Sequence, residues 1–479
     1  MKKIDYWFWG AFLLALLLRL YRLGHSCFWT DEVYCLRVGQ CAFKAIVPYI
    51  YYHDSHPPLF YFLLWGWLKL LGVLHLPFNE FWLRFPFAVF SALQIPVLYR
   101  LAGEMFGEKT ARIAALCLAV SASGIIFAGG EVKMYSLLTL FALLSVYFLY
   151  RLVIDPKSPT ALIGYVLFSS LAVYTQYYGF LLLLAEELYL LFYLKRLTLK
   201  TWISVQILLL LSYLPWLQAG LYHLNHHAGL INAGIQTKAS TFANLFLHFF
   251  CGSPIHFPEG NWLGIALLIL LFLVVLQGLI KRNRPFYPER LIALAAFLPV
   301  GALGMIVLKY PATVIAPRQI SFILPFFLLC CLIKYPDRFS KFLVILFIGC
   351  NLFALGRWYY NPEYQRVRWP EAARYLQAKI AAGDVIVLQN DSQKMIFEYY
   401  FPLRFPVFYF TKDTSERELR AFAGRYRRVW YVSYYGWMVD PGHKIAKWLN
   451  SNYFISDNRV IKNALDSGGS IYIVLFQKT

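Results

Sequence analysis

Pro57-Pro58-Leu59-Phe60-Tyr61-Phe62-Leu63-Leu64-Trp65-Gly66-Trp67-Leu68-Lys69-Leu70-Leu71-Gly72-Val73-Leu74-His75 is nearly long enough to cross a bilayer, and whether it crosses decides the topology of everything after it. A span needs about 20 apolar residues. This stretch opens on His56 and two prolines and carries Tyr61, Trp65, Trp67 and Lys69, residue types that gather at the membrane interface. Clearer apolar runs lie at 6–24, 84–103, 111–129, 135–151, 161–177, 178–194, 201–220, 261–280, 291–309, 319–334 and 341–357. The basic residues between them settle the parity. With the N-terminus cytoplasmic and 57–75 not crossing, cytoplasmic loops receive clusters such as Arg100, Lys109 and Arg112, or Lys281, Arg282, Arg284 and Arg290. The outer loops after the second span then hold only Lys133, Lys238, Lys309 and Arg318. If 57–75 crossed, every basic loop after the first would move outside, against the positive-inside rule. The stretch is therefore read as a re-entrant or juxtamembrane helix, 57–75, inside a long first outer loop, 25–83. The expectation is a polytopic α-helical membrane protein with about 11 spanning helices, N-terminus in and C-terminus out.

Composition demands the same class. Of 479 residues, 59% are hydrophobic and 15% charged, and mean hydropathy is +0.53. A soluble chain has no place to hide that much apolar surface. Aromatics reach 19% and bunch near the ends of apolar runs, as interfacial belts do. The formal net charge of +20 belongs to the cytoplasmic loops and is not read as a nucleic-acid surface. Met1-Lys2-Lys3 followed by the apolar run Tyr6–Leu18 mimics a signal peptide. No small-residue cleavage site follows, and Arg19 and Arg22 interrupt, so the run is expected to stay as the first helix. Among eight cysteines, Cys117, Cys330, Cys331 and Cys350 fall in apolar runs as packing residues. Cys27, Cys35, Cys41 and Cys251 lie in loops where an oxidising compartment would permit a disulfide. No cysteine spacing suits zinc.

Residues 1–357 form the membrane domain, and 358–479 a small outer α/β domain. In the tail, helix-like stretches at Pro370–Ile380, Glu416–Arg425 and His443–Asn450 alternate with strand-like ones at Asp384–Leu388, Val429–Ser433 and Ile471–Phe476. The tail has neither a Gly-rich phosphate loop nor a nucleophile elbow.

Ionisable groups at membrane depth are costly and point to function. Three clusters share the outer side in this topology. Trp29-Thr30-Asp31-Glu32-Val33-Tyr34 follows the first span. Its paired carboxylates suit a general base, a metal ligand or a solvated helix cap. His53-Asp54-Ser55-His56-Pro57-Pro58 opens the juxtamembrane segment, as a turn or as a polar lining. Glu131-Val132-Lys133-Met134-Tyr135 fills a very short loop, where Glu131 either pairs with Lys133 or faces Asp31 across a cavity. Arg84 and Arg318 open the second and tenth spans, where each either anchors at the interface or binds a phosphate. His223, His226 and His227 are expected to be solvated. Asp31, Glu131 and His56 can gather around a divalent metal ion or work without one. No other cofactor is implied.

These clusters, in this order, resemble the GT-C glycosyltransferases. The likeness is to the dolichyl-phosphate-mannose-protein mannosyltransferase-like family (family 39-like) and to bacterial relatives such as the lipid A aminoarabinose transferases. It runs over roughly 1–360. It rests on Trp29-Thr30-Asp31-Glu32, His56-Pro57-Pro58-Leu59-Phe60-Tyr61, Phe81-Trp82-Leu83-Arg84-Phe85-Pro86, Glu131-Val132-Lys133-Met134-Tyr135-Ser136 and Tyr174-Thr175-Gln176-Tyr177-Tyr178-Gly179. The resemblance implies a polyprenyl-phosphate-linked sugar donor and an active site on the outer face of a prokaryotic cytoplasmic (inner) membrane. It implies inverting transfer to a hydroxyl or phosphate of a lipid, glycan or protein acceptor. It also implies Asp31 as the catalytic carboxylate, with Glu32 and Glu131 as further acidic members of the site. Arg84 and Arg318 would be donor contacts, and His56, Lys133, Tyr135 and Tyr178 would bind substrate. Lys133 stands where the family usually has Arg, and Gln176 where His is common. The first change keeps charge but loses the planar fork, and the second leaves that position without an inherited role.

The chemistry suits the residues on its own terms. A prenyl-phosphate sugar is already activated, so no nucleotide loop is needed. One carboxylate deprotonates an acceptor hydroxyl while cations stabilise charge on the departing phosphate. The rival class is a transporter or lipid flippase with an ionisable outer cavity. Such proteins often show internal repeats and broken helices at the midplane. This sequence shows no repeat between its halves, and its acidic groups sit in surface loops. A sensor or scaffold read by the outer domain is a third class, one that would leave the loop carboxylates free to vary.

Overall fold

The computed structural model describes residues 6–192, 199–226, 245, 247–252, 288–309, 317–333, 335–402, 404–462 and 469–478. The expected span 261–280 and His227 lie outside them. The chain divides into two compact units. The first comprises Met1–Leu23 and Val38–Leu355, and the second Gly24–Arg37 and Gly356–Thr479.

The first unit is helical. Among the described residues five helices are long and apolar enough to cross a membrane: α5 (Glu80–Phe106), α7 (Tyr135–Ile154), α10 (Leu199–His226), α11 (Pro288–Lys309) and α13 (Arg338–Tyr360). Shorter apolar helices are α1 (Tyr6–Leu20), α4 (Leu59–Val73), α8 (Pro159–Thr175) and the stretch Pro317–Leu332, which is 3-10 to Ile323 and then α12 (Leu324–Leu332). The unit also holds α3 (Phe43–His53), α6 (Glu108–Val120) and α9 (Gly179–Leu191). Local chemistry fixes several ends. Asn79 caps α5 by accepting from Trp82 N, and Gly107, at φ 92°, ends it. Ser158 caps α8, with Pro159 in the first turn where its missing N–H costs nothing.

α7 is the core helix and packs on α5 and α8. Gly164 of α8 lets the helices close, since a Cβ there would run into the Phe148 ring. α4 has 15 residues, about 22 Å of helix, short of the roughly 30 Å hydrocarbon core. It buries Phe60, Tyr61, Leu64, Leu68 and Leu71 on one face and exposes Leu63, Leu70 and Val73 on the other. A helix thus occupies the stretch read from the sequence as 57–75.

Arg19, read above only as an interruption, has a structural task. It is wholly buried, and its guanidinium donates to the carbonyls of Ala15, Leu118 and Ala119 at 3.2, 3.2 and 3.0 Å. Its Nε donates to Ser91 Oγ at 2.8 Å, and Ser91 Oγ donates to Gly124 O at 3.0 Å. α6 ends at Val120, a π-helical turn follows at Gly124–Gly129, and the chain then reaches Glu131. Arg19 thus serves carbonyls in the last turn of a helix that stops early.

The second unit contains a five-stranded sheet, β1 (Val385–Leu388), β2 (Val407–Tyr409), β3 (Arg428–Ser433), β4 (Phe454–Ile461) and β5 (Ile471–Gln477), in the order β2-β1-β3-β5-β4. β1 pairs parallel with β2 and β3, and β5 pairs antiparallel with β3 and β4. Helices α14 (Trp369–Lys379), α15 (Lys394–Tyr400), α16 (Glu416–Ala423) and α17 (Lys444–Asn452) complete this part. One face of the sheet buries Val385, Val387, Val429 and Phe476 against Leu419, Ile445 and Leu449. All eight cysteines are free thiols, so the disulfide allowed by the sequence is not formed.

Candidate functional site

The Trp29–Tyr34 stretch starts α2 (Thr30–Gln40). Its two carboxylates part company. Glu32 is fully buried, and its Oε2 accepts from Trp29 N at 3.3 Å and faces Arg366 Nε at 4.0 Å. Asp31, one residue earlier, stays half-exposed in the same first turn. A helix N-terminus favours a negative charge at this position.

In the first unit the residue that organises His53–Pro58 is Asp54, lodged between the two histidines. It is buried. His56 Nδ1 donates to Asp54 Oδ1 at 2.7 Å, Ser55 N donates to the same oxygen at 2.6 Å, and the Tyr61 hydroxyl donates to Oδ2. Burial by itself raises the carboxyl pKa. The His56 and Tyr61 hydrogen bonds and the charges of His56 and Lys133 outweigh it and hold Asp54 at about 2. His53 is exposed.

A relay pins this turn from behind. Trp216 Nε1 donates to the Tyr177 hydroxyl at 3.1 Å, and that hydroxyl donates to His223 Nδ1 at 2.7 Å. His223 Nε2 donates to the carbonyls of Ile50 and Tyr51, at 3.1 Å each, in the last turn of α3. His223 is therefore a buried structural histidine, contrary to the solvated role expected for it. A helix-spaced histidine beside Tyr222 and Trp216 was the only signal, and it is weak. His226 is exposed as expected.

Lys133, whose charge bears on Asp54, comes from the loop that follows the π-helical turn. Glu131 and Lys133 are both buried, as is Tyr135 at the start of α7. The loop thus carries its charges into the bundle, and the structure brings Lys133, Asp54, His56, Tyr61 and Tyr177 together. Tyr178 precedes α9 and packs on the helical core. Arg84 is fully buried and donates to Leu23 O at 3.2 Å, an interior place rather than an interfacial one. Arg318 opens the 3-10 turn Pro317–Ile323 and lies beside His248, a residue the sequence reading did not single out. The His248 ring packs 5.2 Å from that of Phe127. Burial first, and the Arg318 charge second, push its pKa down to about 3, which keeps it neutral. Among the described residues no three His, Cys, Asp or Glu side chains gather to hold a metal ion.

Comparison with known proteins places this arrangement. Residues 55–218 match the family model of dolichyl-phosphate-mannose-protein mannosyltransferases, a segment that contains Asp54's partners His56, Tyr61, Lys133 and Tyr177. ArnT from Cupriavidus metallidurans bound to undecaprenyl phosphate superposes with a TM-score of 0.54 at 12% identity, over 98% of each chain. The fold is that of the GT-C glycosyltransferases. The apo state of the same ArnT gives a TM-score of 0.52 at 11% identity, over 98% of this chain and 97% of that one. The Archaeoglobus fulgidus oligosaccharyltransferase gives 0.50 at 13% identity, over 91% of this chain and 70% of that one. No curated relative matches the chain in sequence. The GT-C likeness and the apolar helices agree with the integral membrane protein read from the sequence.

Proposed function

We propose that this protein is a membrane glycosyltransferase that moves a sugar from a polyprenyl-phosphate donor to an acceptor hydroxyl or phosphate on a lipid, glycan or protein. The observation that carries the reading is the buried Asp54–His56–Tyr61 hydrogen-bonded cluster of the first unit, on which the charge of the buried Lys133 bears. Two loops, distant in sequence, bring a buried cation and a rigid acid–imidazole pair to one place. That is the equipment for gripping a phosphate whose lipid tail lies between helices. The likeness to ArnT, whose structure holds undecaprenyl phosphate, supports a donor of that class.

In this reading Asp31 is the general base that takes the acceptor proton, and the sugar inverts as the acceptor oxygen attacks from the face opposite the phosphate. Lys133, Arg84 and Arg318 stabilise the charge that builds on the leaving phosphate. His56, Tyr135 and Tyr178 shape the donor site, and Glu131 sets the charge of the loop that bears Lys133. The reaction takes place at the outer face of a prokaryotic inner membrane, on the side of the C-terminal domain. The deciding experiment is sugar transfer from a radiolabelled prenyl-phosphate sugar by the detergent-purified protein. Transfer to an extracted lipid or glycan fraction is the expected result. Movement of the labelled lipid across proteoliposome membranes with no transfer would sink the enzyme reading in favour of a flippase.

A further inference from the structure

The segment that carries Asp31, Gly24–Arg37, belongs to the same compact unit as the C-terminal α/β domain, although more than 300 residues of sequence separate them. We infer that this domain is a holder for the catalytic turn, and that Arg366, Gln393 and Tyr400 are positioning residues that act through Asp31. The inference rests on the reading of Asp31 as the base.

The pins bracket Asp31 on both sides. The backbone N–H of Phe28 donates to the Tyr400 hydroxyl at 2.7 Å. The Thr30 hydroxyl donates to Gln393 Oε1 at 3.0 Å. Glu32 faces Arg366 at 4.0 Å, both side chains being shielded from solvent, and the Arg366 guanidinium also lies 5.5 Å from the Trp29 ring centre. Further along α2, Arg37 pairs with Glu398 at 3.1 Å. The pins come from three separate elements, the bend before α14, the turn before α15 and α15 itself. They reach the residues three before, one before and one after Asp31, while Asp31 remains half-exposed.

Polar, directional contacts of this kind fix orientation more than they add buried area. One face of the sheet has an apolar core in Val385, Val429, Leu419 and Leu449 that includes none of residues 24–37. The segment is also packed, with Phe28 wholly buried and its ring 5.5 Å from that of Tyr399, so the polar contacts add direction to a turn that is already seated. Here a buried carboxylate–guanidinium pair fixes the residue next to Asp31, a costly way to hold a strap and a good way to fix a rotamer. A displacement of about 1 Å in a reacting group can cost on the order of a hundredfold in rate.

The test uses the full-length enzyme in detergent, with kcat and the donor KM measured separately. Gln393→Ala, Tyr400→Phe and Arg366→Gln are expected to lower kcat by roughly ten- to a hundredfold, with the donor KM within about twofold. Arg366→Lys is expected to recover part of the loss. Introduced into an Asp31→Asn background, Arg366→Gln and Gln393→Ala should add no further loss, because the group they position is gone. Hydrogen exchange of residues 28–34 should rise in Gln393→Ala while the strands β1 and β3 keep their protection. If Arg366→Gln fails to fold, Gln393→Ala and Tyr400→Phe carry the same test. Wild-type kcat in these variants beside an inactive Asp31→Asn would overturn the holder role alone, as would losses that add fully in the Asp31→Asn background. An active Asp31→Asn would instead remove the base assignment.

Discussion

Asp54→Asn probes the centre of the cluster proposed to bind the donor phosphate, through a measurement independent of activity. The carboxylate is buried and is held at about 2 against an ordinary 3.8, by His56 and Tyr61 hydrogen bonds and by the charges of His56 and Lys133 acting against burial. Each pKa unit is worth about 1.4 kcal/mol, so the shift corresponds to about 2 kcal/mol of stabilisation of the folded state. The folded pKa is the lower one. The contribution is therefore complete above the unfolded pKa near 4 and disappears as pH falls through about 2. Asn keeps the shape and an oxygen for the Tyr61 hydroxyl but removes the charge. Melting curves of the detergent-purified proteins at pH 7, 5 and 3 should show the variant a few degrees below wild type at the two higher values. The gap should close as pH drops from about 4. A gap that stays constant from pH 7 to pH 3 would refute the electrostatic reasoning, since loss of packing alone carries no such pH dependence. Equal melting at pH 7 would show that Asp54 contributes no net stabilisation.

Asp31→Asn should reduce transfer by roughly a hundredfold or more with unchanged melting, and near wild-type turnover would exclude Asp31 as the base. Arg318→Lys should weaken apparent donor affinity about tenfold, the worth of a charge-assisted contact, and Arg318→Ala more. Unchanged affinity in the Lys variant would make Arg318 an anchor. In a background without native thiols, Lys44→Cys and Arg420→Cys should react with an impermeant maleimide from outside, and Phe106→Cys and Phe286→Cys should not. Outside labelling at position 106 would mean that α4 crosses the membrane.

Legibility followed the range of the physics involved. The helix Pro370–Ile380 and the strands Asp384–Leu388, Val429–Ser433 and Ile471–Phe476 were readable, because a proline start or an apolar run is local, and the structure shows them within a residue or two. β2 is only three residues long, too short to read as a strand, and β4 is an edge strand with four consecutive polar residues, Ser456–Arg459, at its centre. The three polar clusters could be located because ionisable groups near a bilayer stand out. Which of their members matter depended on tertiary partners. Glu32 and Asp31 are adjacent and chemically alike, and only Arg366, far along the chain, separates a buried carboxylate from a half-exposed one. Asp54 was hidden between two histidines that looked more interesting. Nothing local marked His223 or His248 as interior residues, or tied residues 24–37 to the C-terminal unit.

Arg19 shows why a helical bundle that admits loops needs cations whose partners are backbone carbonyls. A loop that reaches into a helical bundle has to interrupt a helix, and each interrupted turn leaves carbonyls that hydrocarbon cannot satisfy. α6 stops at Val120 so that the π-helical turn and the Glu131–Lys133 loop can follow. The guanidinium of Arg19 donates to the carbonyls of Leu118 and Ala119, and Ser91 donates to that of Gly124. Gly124 and Gly129 fit closely there, since a Cβ at 124 would stand 3.4 Å from Arg19 Nη2 and one at 129 would stand 3.0 Å from the Ser91 Cβ. The default that an intramembrane charge is functional thus holds for Arg19 only at one remove. Its charge is spent on backbone acceptors, and the result is a broken helix followed by a loop whose Lys133 is buried and whose charge bears on Asp54.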